Sequence, residues 1–516
     1  MNGSVDDKKQ HYGLMLWAGI CACAVLFLCS RSSPLYACNN WDDANSYFTM
    51  GKGLMNGRVI YRDLYDQKGP YLYLLYGIAY LISQRSFLGV FLLEVIAGTF
   101  FLYWSARTVE VMTCRETDGD TRRESRSSAL LLWAAVPVMA AAVYVSKSFY
   151  WGGAAEEFLM PLMAWAVYKT VSFRTQDAQR TVFVCGITAG IVALVKYTIL
   201  GFYAGWMGVI ALGFLLRRDV KGCVKVCLRF LGGMGIAFLP WLIYFLATAS
   251  LDDFYRCYIY NNIFFYTNVS QMGLGAKLYD IAKVLYFLIL DNFSYFVWLI
   301  IGMTGILFLK GMSWMTKLQL WCMIGLLYIG IFIGGNKLPY YSIPLTVFVA
   351  PGAGVVVRLV TAETVPGITP GKENGKSLRI LPAVIALALS LVFAWAFSYN
   401  RDYRAQRQEG FFLYEFRDII LAEEEPTLLN IGGLDAGVYT LTGIVPTCEY
   451  FQANGIALPV LEKEQRRYTR ERIPQFVVAV EYVFENVGEG YDLVAEAAYP
   501  TVGDSDTHYY LFRRKE

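Results

Sequence analysis

The reading of the whole chain turns on residues 41–70, WDDANSYFTMGKGLMNGRVIYRDLYDQKGP. Asp42, Asp43, Asp63 and Asp66 share this short stretch with Lys52, Arg58, Arg62 and Lys68. It follows the first long apolar run, and most of the chain beyond it is apolar again. Charges concentrated at the mouth of an apolar bundle mark where a membrane protein does chemistry. A loop whose charges only keep it in water is the plain alternative. Neighbouring residues on a helix point about 100° apart, so only one of Asp42 and Asp43 can face a given site. Asp43-Ala-Asn-Ser-Tyr47 reads as one helical turn, with Asp43 stacked on Tyr47. Lys68-Gly69-Pro70 sets a cation directly before a break that opens an apolar segment, a placement suited to gripping an anionic group at a membrane surface.

Outward from this stretch, composition sets the class. The 516 residues are 56% hydrophobic, 16% aromatic and only 17% charged, which describes a polytopic membrane protein. A net charge of +3, spread over short loops, does not point to nucleic acid. Eleven cysteines are scattered with no CxxC pair or metal-ligand spacing. The two histidines, His11 and His508, lie near the chain ends. A histidine base or metal site inside the bundle is thereby excluded, and carboxylates must carry any proton transfer.

Loop charges fix the expected topology. Lys8 and Lys9 precede the run 14–30 and place the N-terminus in the cytoplasm. The apolar segment 70–83 is shorter than the ~20 residues a span needs. Run 86–105 ends in a loop bearing Arg107, Arg115, Arg122, Arg123 and Arg126, which belongs inside, so 70–83 reads as a juxtamembrane helix. Further spans follow at 128–146, 156–172, 181–199, 200–216, 230–248, 282–309, 318–335, 340–360 and 380–398. The expectation is an all-α polytopic bundle of about eleven transmembrane helices over residues 1–398. Its first outer loop is 31–85, with juxtamembrane helices; a second, aromatic outer loop spans 249–281, and a Gly/Pro/Lys linker 361–378. Residues 399–516 read as a small extracytoplasmic α/β domain, with strands at 427–433, 475–480, 491–499 and 509–514 and a charged helix at 461–472.

This topology puts further charges on the outer face. Glu156 and Glu157 stand in WGGAAEE, just before a span. Acids there suit the helix dipole, but two of them are costly to bury unless a cation or substrate needs them. Lys196 lies near the outer end of its span, where a snorkelling lysine is the plain reading. Lys337 precedes LPYYSIP, where Tyr340 and Tyr341 suit an aromatic belt. Carboxylates and lysines at one membrane face, without histidine, fit a reaction on a phospholipid-linked substrate. A carboxylate deprotonates an acceptor hydroxyl while cations hold the leaving lipid phosphate.

These residues resemble the GT-C superfamily of polyprenyl-phosphate-dependent glycosyltransferases. The nearest likeness is to the family 39-like branch that holds the lipid A aminoarabinose transferases, bacterial relatives of protein O-mannosyltransferases and the rhizobial lipopolysaccharide galacturonosyltransferases. That branch has an acid in the first outer loop, followed by a pattern similar to Gly57-x-x-x-Tyr61-x-Asp63-x-x-x-x-Lys68-x-Pro70. A second acid where a later helix starts matches Glu156 or Glu157, a lysine near the outer end of a span matches Lys196, and Tyr340-Tyr341-Ser-Ile-Pro344 is similar to its aromatic-Tyr-x-x-x-Pro pattern. The resemblance implies an inverting enzyme of the plasma (inner) membrane that moves one hexosyl or pentosyl unit from a polyprenyl-phosphate donor to an extracytoplasmic glycan, lipid or protein. It implies Asp43, or Asp42 beside it, as catalytic base, with Glu156 or Glu157 assisting. Lys68, Lys196, Tyr61, Tyr341 and Lys337 would bind the lipid phosphate and donor. A divalent cation, where one is used, would fall to Asp43 and Glu157. The aromatic loop 249–281 would cover the substrate, and residues 431–454, with Asp435, Tyr439 and Pro446, would help shape the acceptor site. Two rivals belong to other classes: a lipid-linked sugar flippase or transporter, which would line a mid-membrane path with charge, and a non-catalytic envelope assembly protein.

Overall fold

The structure is a computed structural model, described for residues 2–113, 126–172, 178–266, 274–334, 337–363, 381–453, 455–456, 458–500 and 506–516. The expected loop arginines Arg115, Arg122 and Arg123, and most of the 361–378 linker, lie outside the described residues, as does 267–273 of the aromatic loop. The chain divides into two compact units.

The first unit comprises Met1–Ser33, Leu93–Phe238 and Met272–Asp402. Its apolar runs form helices because backbone polar groups in lipid must be paired within their own segment. Among the described residues of the whole chain, six helices are long and apolar enough to cross a membrane: Lys9–Cys29, Leu88–Thr113, Ala178–Leu216, Val220–Ala247, Trp314–Phe332 and Pro339–Thr361. A bent pair, Tyr279–Asp291 with Phe293–Phe308, makes a seventh if counted as one span. The protein is thus a multi-pass membrane protein, and this count stands at six or seven where the sequence suggests about eleven.

The difference has identifiable sources. The separately expected runs 181–199 and 200–216 follow each other directly, with Lys196 in extended backbone and a 3₁₀ turn, Tyr197–Ile199, between their helices. Helices Pro70–Ile82, Leu130–Tyr144 and Leu381–Phe397 are apolar but short, and the run expected at 156–172 yields a helix only over Met160–Val171. The run 282–309 breaks at Asn292, with a 114° bend. Asn292 is buried, and its Oδ1 accepts from both the backbone N and the Oγ of Ser148, each at 2.8 Å. That polar commitment pulls the residue out of helical geometry.

The second unit comprises Pro34–Leu92, Leu239–Gln271 and Tyr403–Glu516, so the first outer loop is compact with the aromatic loop and the C-terminal region. Helices Asp42–Met55 and Pro70–Ile82 carry the loop. They approach backbone to backbone at Gly51, where an added Cβ would lie 2.4 Å from the amide nitrogen of Gly77. The C-terminal region holds a four-stranded sheet, β1 (Leu428–Ile431), β2 (Phe476–Val480), β3 (Tyr491–Pro500) and β4 (Asp506–Arg514), in the order β1-β2-β4-β3. β1 and β2 run parallel, with Leu428 opposite Phe476, and helix Pro459–Arg470 lies in the crossover. β4 is antiparallel to both neighbours. β1 and β2 are buried throughout, as their uninterrupted apolar runs require.

Candidate active site

Two clusters of charge form, one within each unit. In the second unit, Trp41 is extended and the helix starts at Asp42, whose Oδ1 accepts from the backbone N of Asp43 at 2.7 Å. Acids in the first turn face the positive end of the helix dipole. Both aspartates remain partly exposed, whereas every residue from Ala44 to Gly53 is buried.

The loop that follows is tightly determined. Gly57 and Tyr61 both take left-handed backbone, at φ 81° and 69°. A tyrosine holds that strained conformation only when its surroundings fix it. Here the ring packs against Tyr73, Phe245 and Phe254, and the hydroxyl donates to the carbonyl of Lys68 at 2.6 Å. Asp63 accepts from the backbone N of Val59 at 2.7 Å and pairs with Arg62. Pro70 then opens the next helix at its first turn, where its missing N–H costs nothing. Gly57, Tyr61, Asp63 and Pro70 of the spaced motif therefore shape the chain so that its remaining position, Lys68, is presented.

Lys68 is buried, with its ammonium 5.8 Å from the centre of the Tyr47 ring. Its backbone N donates to the Tyr73 hydroxyl at 2.8 Å, and that hydroxyl donates to Asp66 Oδ2 at 2.8 Å. Electrostatically it faces two acids: its charge stabilises the carboxylates of Asp42 and Asp66. Burial outweighs that help. The Asp42 carboxyl is pushed up to about 7, first by burial and then by the negative charge of Asp43. Asp66, fully enclosed, is raised for the same first reason. Asp42, Asp43, Asp66, Lys68 and Tyr47 thus make one electrostatic cluster. The aromatic loop closes one side of it: Asn262 Nδ2 donates to the carbonyl of Gln67 at 2.8 Å and Asn261 Nδ2 to the Tyr65 hydroxyl at 3.1 Å.

The same helix is tied to the C-terminal region along its buried face. Lys52 is fully buried, and its Nζ donates to the carbonyl of Tyr439 at 2.5 Å. Burial pushes its ammonium down to about 7, against the stabilising charge of Asp435; Arg85 adds to the depression. Asp435 is raised to about 6 by its own burial, while accepting from the backbone N of Val438 at 2.9 Å and of Tyr439 at 3.2 Å. Asn45 Oδ1 accepts from the Thr440 hydroxyl at 2.6 Å, and Gln452 Nε2 donates to the Ser46 hydroxyl at 2.7 Å. Sequence reasoning gives Lys52 no role, because nothing in the local pattern signals a partner 387 positions away.

The cluster of the first unit separates the two glutamates. Glu156, 1% exposed, pairs with Lys196. The Lys196 ammonium lies 3.5 Å from the centre of the Tyr341 ring and 5.4 Å from that of Tyr340, and Tyr340 meets Trp151 edge-on. Glu157 turns the other way. Its Oε1 accepts from the backbone N of Ala154 at 2.7 Å, and its carboxyl hydrogen-bonds that of Glu94. Glu94 also accepts from Ser30 Oγ at 2.8 Å and from the backbone N of Gly153 at 2.6 Å. Two hydrogen-bonded carboxyls require a proton between them. Gly152 has φ 87°, and a Cβ there would meet Ser30 Oγ at 2.2 Å, so this turn is built around the acid pair. Lys337 stands apart from Glu156: it is paired with Asp280 and 45% exposed. Asp291 is likewise no buried charge, being 43% exposed and paired with Lys147. Arg31, which sequence reasoning passes over, is a buried cation whose backbone N donates to the carbonyl of Trp151 at 2.9 Å. Among the described residues, no group of three or more His, Cys, Asp or Glu side chains is arranged to hold a metal ion.

No known family profile matches the chain, and no curated protein does. Solved structures do. ArnT from Cupriavidus metallidurans bound to undecaprenyl phosphate superposes with a TM-score of 0.63 at 13% identity, over 96% of this chain and 97% of that one. The apo state of the same protein gives 0.60 at 12%, with the same coverage. This chain therefore shares the fold of that protein over nearly its full length.

Proposed function

We propose that this protein is a membrane glycosyltransferase that moves a single sugar, with inversion, from a polyprenyl-phosphate donor to an extracytoplasmic glycan, lipid or protein. The observation that carries the reading is the fold shared, over nearly the full length of both chains, with a protein solved bound to undecaprenyl phosphate. The cluster around Lys68 supplies the chemistry such a reaction needs. Asp43 acts as the base that takes the acceptor's hydroxyl proton, and Asp42 beside it tunes the charge. Lys68 holds the lipid phosphate as it leaves, where a fixed cation is worth most because it needs no rearrangement. Glu156 and Lys196, flanked by Tyr341, bind donor or acceptor polar groups. Glu157, committed to Glu94 and Ala154, holds the turn that carries Glu156. Plasma-membrane residence with the outer loop and C-terminal region outside completes the proposal.

The deciding experiment is mass spectrometry of lipid-linked sugars and envelope glycans in cells carrying Asp43→Asn, with the protein quantified in membranes. Loss of a general base lowers turnover by about 10²- to 10⁴-fold. One carrier-linked monosaccharide should accumulate while one glycan loses that sugar, which names both substrates together. Unchanged pools in cells that contain the variant protein would remove Asp43 as the base and favour a transport or assembly role.

A further inference from the structure

Within the first unit, a cavity of about 690 Å³ opens where helix Met160–Val171 ends, helix Leu200–Leu216 ends, and helices Ala178–Lys196, Val220–Ala247 and Trp314–Phe332 begin. Its two ends differ in chemistry. The mouth carries Arg217, Lys225 and Arg229, and Arg229 is held in place by the side-chain carbonyl of Gln179. Asp219, close by in sequence, accepts from the backbone N of Gly222 at 2.8 Å and caps the start of its helix. Among the described lining residues the charged side chains are all cations, which makes this end electropositive.

The interior is lined by Val182, Val209, Ile210 and Phe214. Its polar side chains are already satisfied within the protein: the Trp206 indole donates to the Thr170 hydroxyl at 3.0 Å, and Gln319 Nε2 donates to the Trp206 carbonyl at 2.8 Å. A small hydrated anion gains nothing from such walls. An amphiphile with a negative head and hydrocarbon tails satisfies both ends at once, because basic recesses between membrane helices take anionic head groups. We propose that this cavity is a binding site for an anionic phospholipid, with the phosphate at Arg217, Lys225 and Arg229 and an acyl chain against the apolar wall. None of these residues belongs to either charge cluster described above, so the inference stands independently of the proposed activity.

Native mass spectrometry of the full chain released from detergent tests it, using phosphatidylglycerol, phosphatidylcholine with the same acyl chains, and inorganic phosphate as probes. The expected result is retention of phosphatidylglycerol at concentrations where phosphatidylcholine is lost, with no displacement by inorganic phosphate. Replacing the three cations together, Arg217→Gln, Lys225→Gln and Arg229→Gln, should weaken phosphatidylglycerol binding roughly 10- to 100-fold and leave phosphatidylcholine unaffected. Gly213→Leu keeps every charge but fills the space beside Met315, where even a Cβ would lie 3.4 Å from the methionine methyl. It should weaken both lipids. Equal binding of the two lipids, displacement by phosphate, an undiminished preference in the triple variant, or wild-type binding by Gly213→Leu would each overturn the proposal.

Discussion

Two adjacent aspartates and two adjacent glutamates pose the same question, and their surroundings answer it differently. In the glutamate pair, hydrogen bonding separates the partners: Glu156 meets Lys196, whereas Glu157 meets Glu94 and a backbone amide. Sequence could not choose between them, since the choice depends on Glu94, which sits on a helix some sixty residues earlier. In the aspartate pair, electrostatics separates them. Asp42 is raised to about 7 from an ordinary 3.8, by burial first and Asp43 second. Below that value Asp42 is mostly neutral; above it, its carboxylate adds a negative charge beside Lys68. Its folded value exceeds its unfolded one, so the stability it contributes is present below 3.8 and is lost as pH rises through about 7. We therefore expect transfer activity to change through an inflection near pH 7 in the wild type, and Asp42→Asn to lack that inflection while keeping measurable activity. A pH–rate profile of the two proteins checks this. An unshifted inflection in Asp42→Asn would assign it to another group.

The elements that read most clearly in the sequence are those whose signal is local. The helical turn at Asp43–Tyr47, the short apolar helix Pro70–Ile82 and the strands β1 to β4 fall where pattern puts them, because periodicity and Gly/Pro punctuation act over a few residues. The breaks were not legible. Asn292 ends a helix because a distant Ser148 claims its carboxamide, and apolarity alone cannot show that. Gly51 is a similar case: nothing in Met50-Gly51-Lys52-Gly53 marks it, yet it is where two helix backbones touch. Gly51→Ala would push a methyl to 2.4 Å from the Gly77 nitrogen and 2.8 Å from the Tyr73 carbonyl oxygen, with backbone and no flexible side chain in the way. Overpacking of that kind costs about 1–3 kcal/mol. Gly53→Ala would clash with the flexible end of the Leu64 side chain, its Arg58 contact being an ordinary one, and should cost less. Thermal unfolding of the two purified variants, followed by aggregation onset in the same detergent, should rank Gly51→Ala lower; the reverse order would mean that the helices do not approach at Gly51.

At the scale of the chain, the second unit gathers the first outer loop, the aromatic loop and the C-terminal region from three separated stretches. Hydropathy cannot reveal such a unit, because it draws its boundary at the membrane and sees residues 399–516 as a separate appendage. What joins the stretches is polar: Asn45, Ser46 and Lys52 on one helix face reach Thr440, Gln452 and the Tyr439 carbonyl. Lys52 and Asp435 are both completely buried and each charge stabilises the other through space, so removing one leaves the other buried with less compensation. Lys52→Met should therefore destabilise the protein strongly, Asp435→Asn should do likewise, and the double variant should lose less than the sum, by an interaction energy of about 0.5–3 kcal/mol. The acidity of Lys52 adds a second signature. Its folded value of about 7 lies below the ordinary 10.5, so the folded protein releases a proton that the unfolded chain keeps, and stability gains from this group as pH climbs between those values. Lys52→Met should lack that gain. A double-mutant cycle of unfolding midpoints at pH 7 and pH 9 tests both statements. Strict additivity with parallel pH dependence would mean that the C-terminal region does not hold helix Asp42–Met55 through this pair, and that its role lies elsewhere on the sheet.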